Sequence, residues 1–185
     1  MILYNIKKVK LTELDPSTGL EKESGIRTTL STASECKLKP VTDDGDEDVL
    51  RTDDTILAIV RTEDLLYGYD ITLTDNTFDL KCAELVAGYK VSGGEDDETK
   101  ANVTTPMMSD GASGKQFKLE MYISNLEGDS IKNYVVITFN KCLGSFPEMD
   151  IGKDFFAPEF EIKARENTKA KLPIMGITQV DTLPE

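Results

Sequence analysis

Residues 67–88 read YGYDITLTDNTFDLKCAELVAG. From Tyr67 to Thr74 the apolar residues Tyr69, Ile71 and Leu73 alternate with Asp70, Thr72 and Thr74, the period-two pattern of a strand with one buried face. Beyond it, Phe78, Cys82, Leu85 and Val86 recur at the spacing that puts them on one side of a helix. Only Asp75 and Asn76 separate the patterns, so a strand runs into a helix with barely a turn. Asn76 or Thr77 is expected to cap the first helical amides, and Gly88 to end the helix.

The rest of the chain reads mostly as strand and loop. Residues 2–11 suggest an N-terminal strand, and Asp15-Pro16-Ser17-Thr18-Gly19 a turn. The polar stretch up to Ser34 reads as a long arm or loop. Glu35–Val41 is an expected strand, Asp43–Asp48 an acidic loop, and the apolar, β-branched Thr55–Arg61 a buried strand. Tyr89–Ser92 opens a short strand before a loop from Gly93 to Gly114. Phe117–Ser124 and Val135–Asn140 alternate as strands, joined by a hairpin loop across Asn125–Asn133. Phe156–Ala164 and Leu172–Val180 complete the set. These patterns predict seven to nine strands and one helix, as antiparallel sheets in a sandwich or open barrel with the helix over one end.

At 185 residues, 39% hydrophobic and 30% charged, the chain suits one folded domain with a buried core. Its apolar runs are too short for a membrane-spanning helix. The start, MILYNIKKVK, has its charges after the apolar residues, unlike a secretory signal. It is expected to belong to the fold of a protein made in the cytosol. Cys36, Cys82 and Cys142 form no CxxC pair and are expected to be reduced. The net charge of −13 is unevenly placed: residues 41–110 carry eighteen acidic and five basic side chains. Such a surface does not hold nucleic acid by neutralising phosphates, though it can let nucleic acid pass.

Chemistry is hard to find. The sequence has no histidine, which removes Ser-His-Asp and Cys-His catalysis, and it has no nucleotide-binding or nucleophile-elbow motif. No catalytic residue and no cofactor is expected. Asp44, Asp46 and Asp48 mimic the start of an EF-hand, but the required glycine falls on Val49 and the bidentate glutamate on Thr55. A loose calcium site on those three aspartates is the alternative to a solvated acidic loop. Glu95–Glu98 reads as an exposed charge run. Tyr67, Tyr69, Tyr89 and Tyr122 are either a binding platform or core-edge residues with one wet end. Carboxylate pairs for a hydrolase are plentiful, but none is singled out.

Three stretches together resemble the tail tube (major tail) proteins of tailed bacteriophages and of phage-tail-like bacteriocins. They are Leu65–Phe78 with the helix that follows, Glu47-Asp48-Val49-Leu50-Arg51, and Phe156–Asn167. The resemblance implies a mainly β fold, an antiparallel sandwich or barrel with one flanking α-helix and long loops, as a single tail-tube domain over residues 1–185. It implies a non-enzymatic subunit whose hexameric rings stack into a hollow tube, a conduit for DNA or ions. The arm 15–34 and the loops 42–54 and 93–114 are the expected bridges between copies. Partners implied are further copies of the chain, a tape-measure protein in the lumen, tail terminator and baseplate or tail-tip proteins, and a sheath in contractile members. The chain's length and long loops tilt the reading towards the sheathless, flexible kind. DNA is met only in transit, with no membrane partner. The location implied is a virion or particle tail, assembled in the bacterial host cytoplasm. The charge census adds the expectation of a net negative inner wall. The rival readings are an acidic β-sandwich adhesin or receptor-binding module holding calcium, and a carboxylate-pair hydrolase.

Overall fold

Alternation along the chain becomes one curled eight-stranded sheet and two short two-stranded ones. The computed structural model describes residues 1–53, 55–93, 101–110, 114–149 and 157–184. Among them are twelve strands and one α-helix. The strands are β1 (Ile2–Glu13), β2 (Arg27–Leu30), β3 (Ala33–Asp43), β4 (Glu47–Thr52), β5 (Thr55–Arg61) and β6 (Leu65–Asp75). After the helix α1 (Leu80–Ala87) come β7 (Lys90–Ser92), β8 (Asn102–Thr104), β9 (Phe117–Glu127), β10 (Ser130–Gly144), β11 (Glu159–Arg165) and β12 (Met175–Val180). The main sheet runs β2-β1-β9-β10-β11-β6-β3, all antiparallel, with β12 also on β10. This is the mainly β, one-helix architecture that the sequence predicts.

Strand β10 makes the sandwich. Tyr134–Phe139 pair with β12, and Cys142–Gly144 pair with β11, so one long strand serves two halves of the sheet. The halves fold over a common core. Val9 and Leu11 from β1, Leu119 and Met121 from β9, Phe139 from β10, Ile162 from β11 and Ile71 and Leu73 from β6 belong to one buried cluster. Tyr69 meets Phe139 edge to face at 5.6 Å although β11 lies between their strands, which only a curled sheet allows. Cys82, Leu85 and Val86 of α1 close this core. Ala83 and Ala87, on another face, pack with Tyr89, Phe78 and Val103 in a second cluster.

Several boundaries differ from expectation. The cap of α1 is Asp79, not Asn76 or Thr77: its carboxylate accepts from the Cys82 amide at 2.5 Å and from Thr28 Oγ1 at 3.2 Å. The chain needs Asn76–Phe78 to clear the sheet before its dihedrals become helical. Asp75 and Thr77 hold that corner instead. Buried Asp75 accepts from Thr32 Oγ1 at 2.6 Å and from Thr77 Oγ1 at 3.3 Å. Gly88 ends the helix with φ 72°, the left-handed turn that glycine adopts without steric cost.

Residues 15–34, expected as an arm or loop, contain β2 on the edge of β1, with Thr28 and Leu30 buried. Glu13 fastens this segment, accepting from Lys22 Nζ at 2.7 Å and from the Ile26 amide at 2.9 Å. Burial pushes the Glu13 carboxyl up, but these two donors and nearby Lys115 outweigh it and leave its pKa lowered. Asn167, also buried, donates to Gly19 O and Asn140 O and ties the Asp15–Gly19 turn to β10. The expected loop Asn125–Asn133 is mostly strand. Asn125 Nδ2 donates to Asn133 Oδ1 at 2.7 Å, and the amide of Ile2 donates to Asn125 Oδ1, so the asparagines satisfy each other inside the ladder.

The cap assignment has a direct test. Asp79→Ala is expected to lower the unfolding free energy of the unassembled subunit by about 1 kcal/mol. Asn76→Ala, at an exposed position, is expected to stay within about 0.5 kcal/mol of wild type. Urea unfolding followed by circular dichroism compares the two; equal losses would return the cap to Asn76.

Candidate assembly surface

Where β3 and β6 leave the body they continue as a long arm. They pair from Ala33↔Asp75 out to Asp43↔Leu65, and β4 and β5 carry the same hairpin onward from Glu47↔Arg61 to Thr52↔Thr55. A neck joins the two stages. Thr62 Oγ1 accepts from the Asp46 amide at 2.8 Å, the Thr62 amide donates to Asp46 O, and Asp64 accepts from the Gly45 amide at 3.0 Å. At about 3.3 Å per residue, a leg running from Gly68 out to Thr55 reaches up to about 40 Å.

The arm is apolar, and the described residues leave it uncovered. Ile56, Ile59 and Val60 are 59%, 55% and 65% exposed, and Leu65 at its root is 67% exposed. Thr55–Arg61 is therefore a strand as expected, but not a buried one. Val49 stands opposite Ile59, and Leu50 opposite Ala58, so both faces of the hairpin carry apolar residues. Periodicity cannot tell a core strand from one awaiting a partner, because both are apolar and β-branched. The expected bridge 42–54 contributes one leg of this arm, and the strand expected in the core, Thr55–Arg61, is the other.

The acidic census finds its place here too. Nine of the eighteen acidic residues in 41–110 lie between Asp43 and Asp64, against Arg51 and Arg61. Others are spent within the fold: Asp75 in the corner, Asp79 at the cap, and Glu84 on Lys115 at 2.8 Å. Glu95–Glu98 lie outside the described residues.

Further edges are open. Among the described residues, β12 pairs only with β10, and β2 covers β1 only along Val9–Thr12, which leaves Ile2–Lys8 without a strand partner on that side. Met1, Ile2, Leu3 and Tyr4 are exposed there. In the expected bridge 93–114, β8 pairs with β7, and Val103 packs against the Tyr89 cluster. Residues 94–100 and 111–113 of that bridge lie outside the described residues.

Other candidate chemistry disperses. Asp44, Asp46 and Asp48 are exposed, and among the described residues no three Cys, Asp or Glu side chains converge as a metal shell. The tyrosines do not form one platform: Tyr69 packs on the main core, Tyr89 on Phe78 and Phe146, Tyr122 is buried on β9, and Tyr67 lies under Arg165. Burial pushes the Cys36 thiol up to about 12, with Glu35 adding to it, and burial raises Cys82 and Cys142 as well. None of the three is poised as a thiolate. Asp15 is held low by the Ser17 hydroxyl and amide, the opposite of what a general acid needs. A groove of about 250 Å³ on the outer face of β3, β6 and β11 balances Lys37, Lys39 and Lys163 against Asp70 and Glu161.

If the arm is uncovered in the single subunit, charging it costs little. Leu50→Lys with Ile59→Lys is expected to change the unassembled subunit's stability by no more than about 0.5 kcal/mol per site. Leu73→Ala, in the core, is expected to cost about 2–5 kcal/mol. Chemical unfolding under dilute conditions gives both values, and a core-sized loss from the arm variant would place its side chains inside the subunit. Comparison with protein-family models and with curated proteins finds no match to this chain.

Proposed function

We propose that the chain is a structural subunit whose copies form rings that stack into a hollow tube, the function implied by its resemblance to tail tube proteins. The observation that carries this reading is the arm of residues 42–67, which carries apolar residues on both faces and is left exposed by the described residues of its own chain. A two-stranded hairpin is marginal by itself in water, and exposed apolar strands invite pairing with another chain. Seating the arm on a neighbouring copy resolves both problems. The contact is head-to-tail, because the arm and the body that receives it are different surfaces of the same chain. Such contacts close into rings or run on as filaments.

The open edges of β12 and of the N-terminal half of β1 support the same reading, since lateral pairing between copies turns separate sheets into a continuous wall. In this reading the subunit is not an enzyme. The tube conducts DNA or ions, and it meets the tape-measure, terminator and baseplate or tail-tip proteins of a virion or virion-like particle.

Negative-stain microscopy of concentrated protein is expected to show rings or tubes of uniform bore. Leu50→Lys with Ile59→Lys is expected to remain a single subunit by sedimentation. Wild-type protein that stays monomeric at every concentration, or an arm variant that forms tubes as readily, would defeat the proposal.

A further inference from the structure

Besides the β3–β6 ladder, one side chain of the body lies across the root of the arm. β11 ends at Arg165 opposite Gly68, and beyond that rung β6 keeps only β3 as its neighbour. Arg165 folds back over this last rung. Its Nη1 donates to Ala164 O at 2.8 Å and to Tyr69 O at 3.3 Å, and its Nη2 lies 3.3 Å from Asp70 Oδ1. The guanidinium carbon stands 5.5 Å from the centre of the Tyr67 ring. A Cβ on Gly68 would fall 2.3 Å from Arg165 Nη1 and 2.8 Å from its Cδ. Arg165 therefore occupies the space that any larger residue at 68 would fill.

Tyr67, Gly68, Tyr69 and Asp70 are four consecutive residues that bracket the point where the arm departs, and one arginine touches all four. The ion pair with Asp70 is half-exposed and weak alone. What is specific is the planar guanidinium, whose Nη1 bonds two carbonyls and whose Nη2 reaches Asp70 while its carbon lies over the Tyr67 ring. A lysine ammonium does not reproduce that set of directions. We propose that Arg165 is a positioning residue that fixes the arm on the body and so sets the angle at which it leaves the subunit. Its consequence for assembly rests on the tube reading above; the ordering of the arm does not.

Amide hydrogen exchange on the full chain, held unassembled by Leu50→Lys with Ile59→Lys, tests this. Arg165→Ala is expected to speed exchange across residues 42–67 about tenfold and leave β9 and Tyr134–Phe139 unchanged. Arg165→Lys, which keeps the charge but lacks the planar guanidinium, is expected to behave like Arg165→Ala, and Asp70→Asn to change little. Unchanged exchange in the arm, an equal rise throughout the sheet, or full rescue by lysine would each overturn the proposal. Arg165→Lys also serves if the alanine variant does not fold. Exchange is read on single subunits, so the outcome does not depend on whether copies form tubes.

Discussion

Strand β6 belongs to the core at one end and to solvent at the other, and this division governs the rest of the structure. From Gly68 to Thr74 it lies between β3 and β11, with Ile71 and Leu73 buried beneath the curled sheet. From Leu65 to Tyr67 it has lost β11, and its side chains stand in water. Burying a side chain such as Ile71 or Leu73 is worth about 1.5–3 kcal/mol each, an upper figure because denatured chains are partly compact. That buried half holds the arm in place. The outer hairpin has no packing of its own to do so, and stands because its strands continue from strands that the core retains.

The same division explains the distribution of charge. Carboxylates near the body are bound into the fold by hydroxyls, amides and lysines, as at Glu13, Asp75 and Glu84. Those on the arm stand beside exposed aliphatic residues. In the proposed assembly, this mix of charge and apolar surface keeps the arm soluble as a single subunit and lets it bury itself against a neighbouring copy. An acidic loop binding calcium would instead need its carboxylates to converge, and Asp44, Asp46 and Asp48 follow an extended chain into β4.

Much of the fold was legible because alternation reports one-sided burial. Tyr69, Ile71 and Leu73, and likewise Phe117, Leu119 and Met121, face the core as their spacing requires. The helix announced itself through Cys82, Leu85 and Val86, and Gly88 marked its end. What escaped depends on tertiary partners. β2 carries a single large apolar residue, Leu30, and becomes a strand because β1 offers it an edge. Asn125 and Asn133 read as turn residues until each is seen to satisfy the other. Thr55–Arg61 has the composition of a core strand, and local pattern does not say whether the covering surface comes from the same chain. The grip of Arg165 on Gly68 joins positions 97 residues apart and leaves no local trace.

The central claim is that another copy of this chain covers the arm. A photoreactive amino acid at position 59 tests it directly, with isotopically light and heavy chains mixed before assembly and the cross-links sorted by mass. The account predicts products joining light chains to heavy ones, with the partner peptide drawn from the body of the second copy. Cross-links confined to one chain would show that the arm folds onto its own subunit and would contradict it.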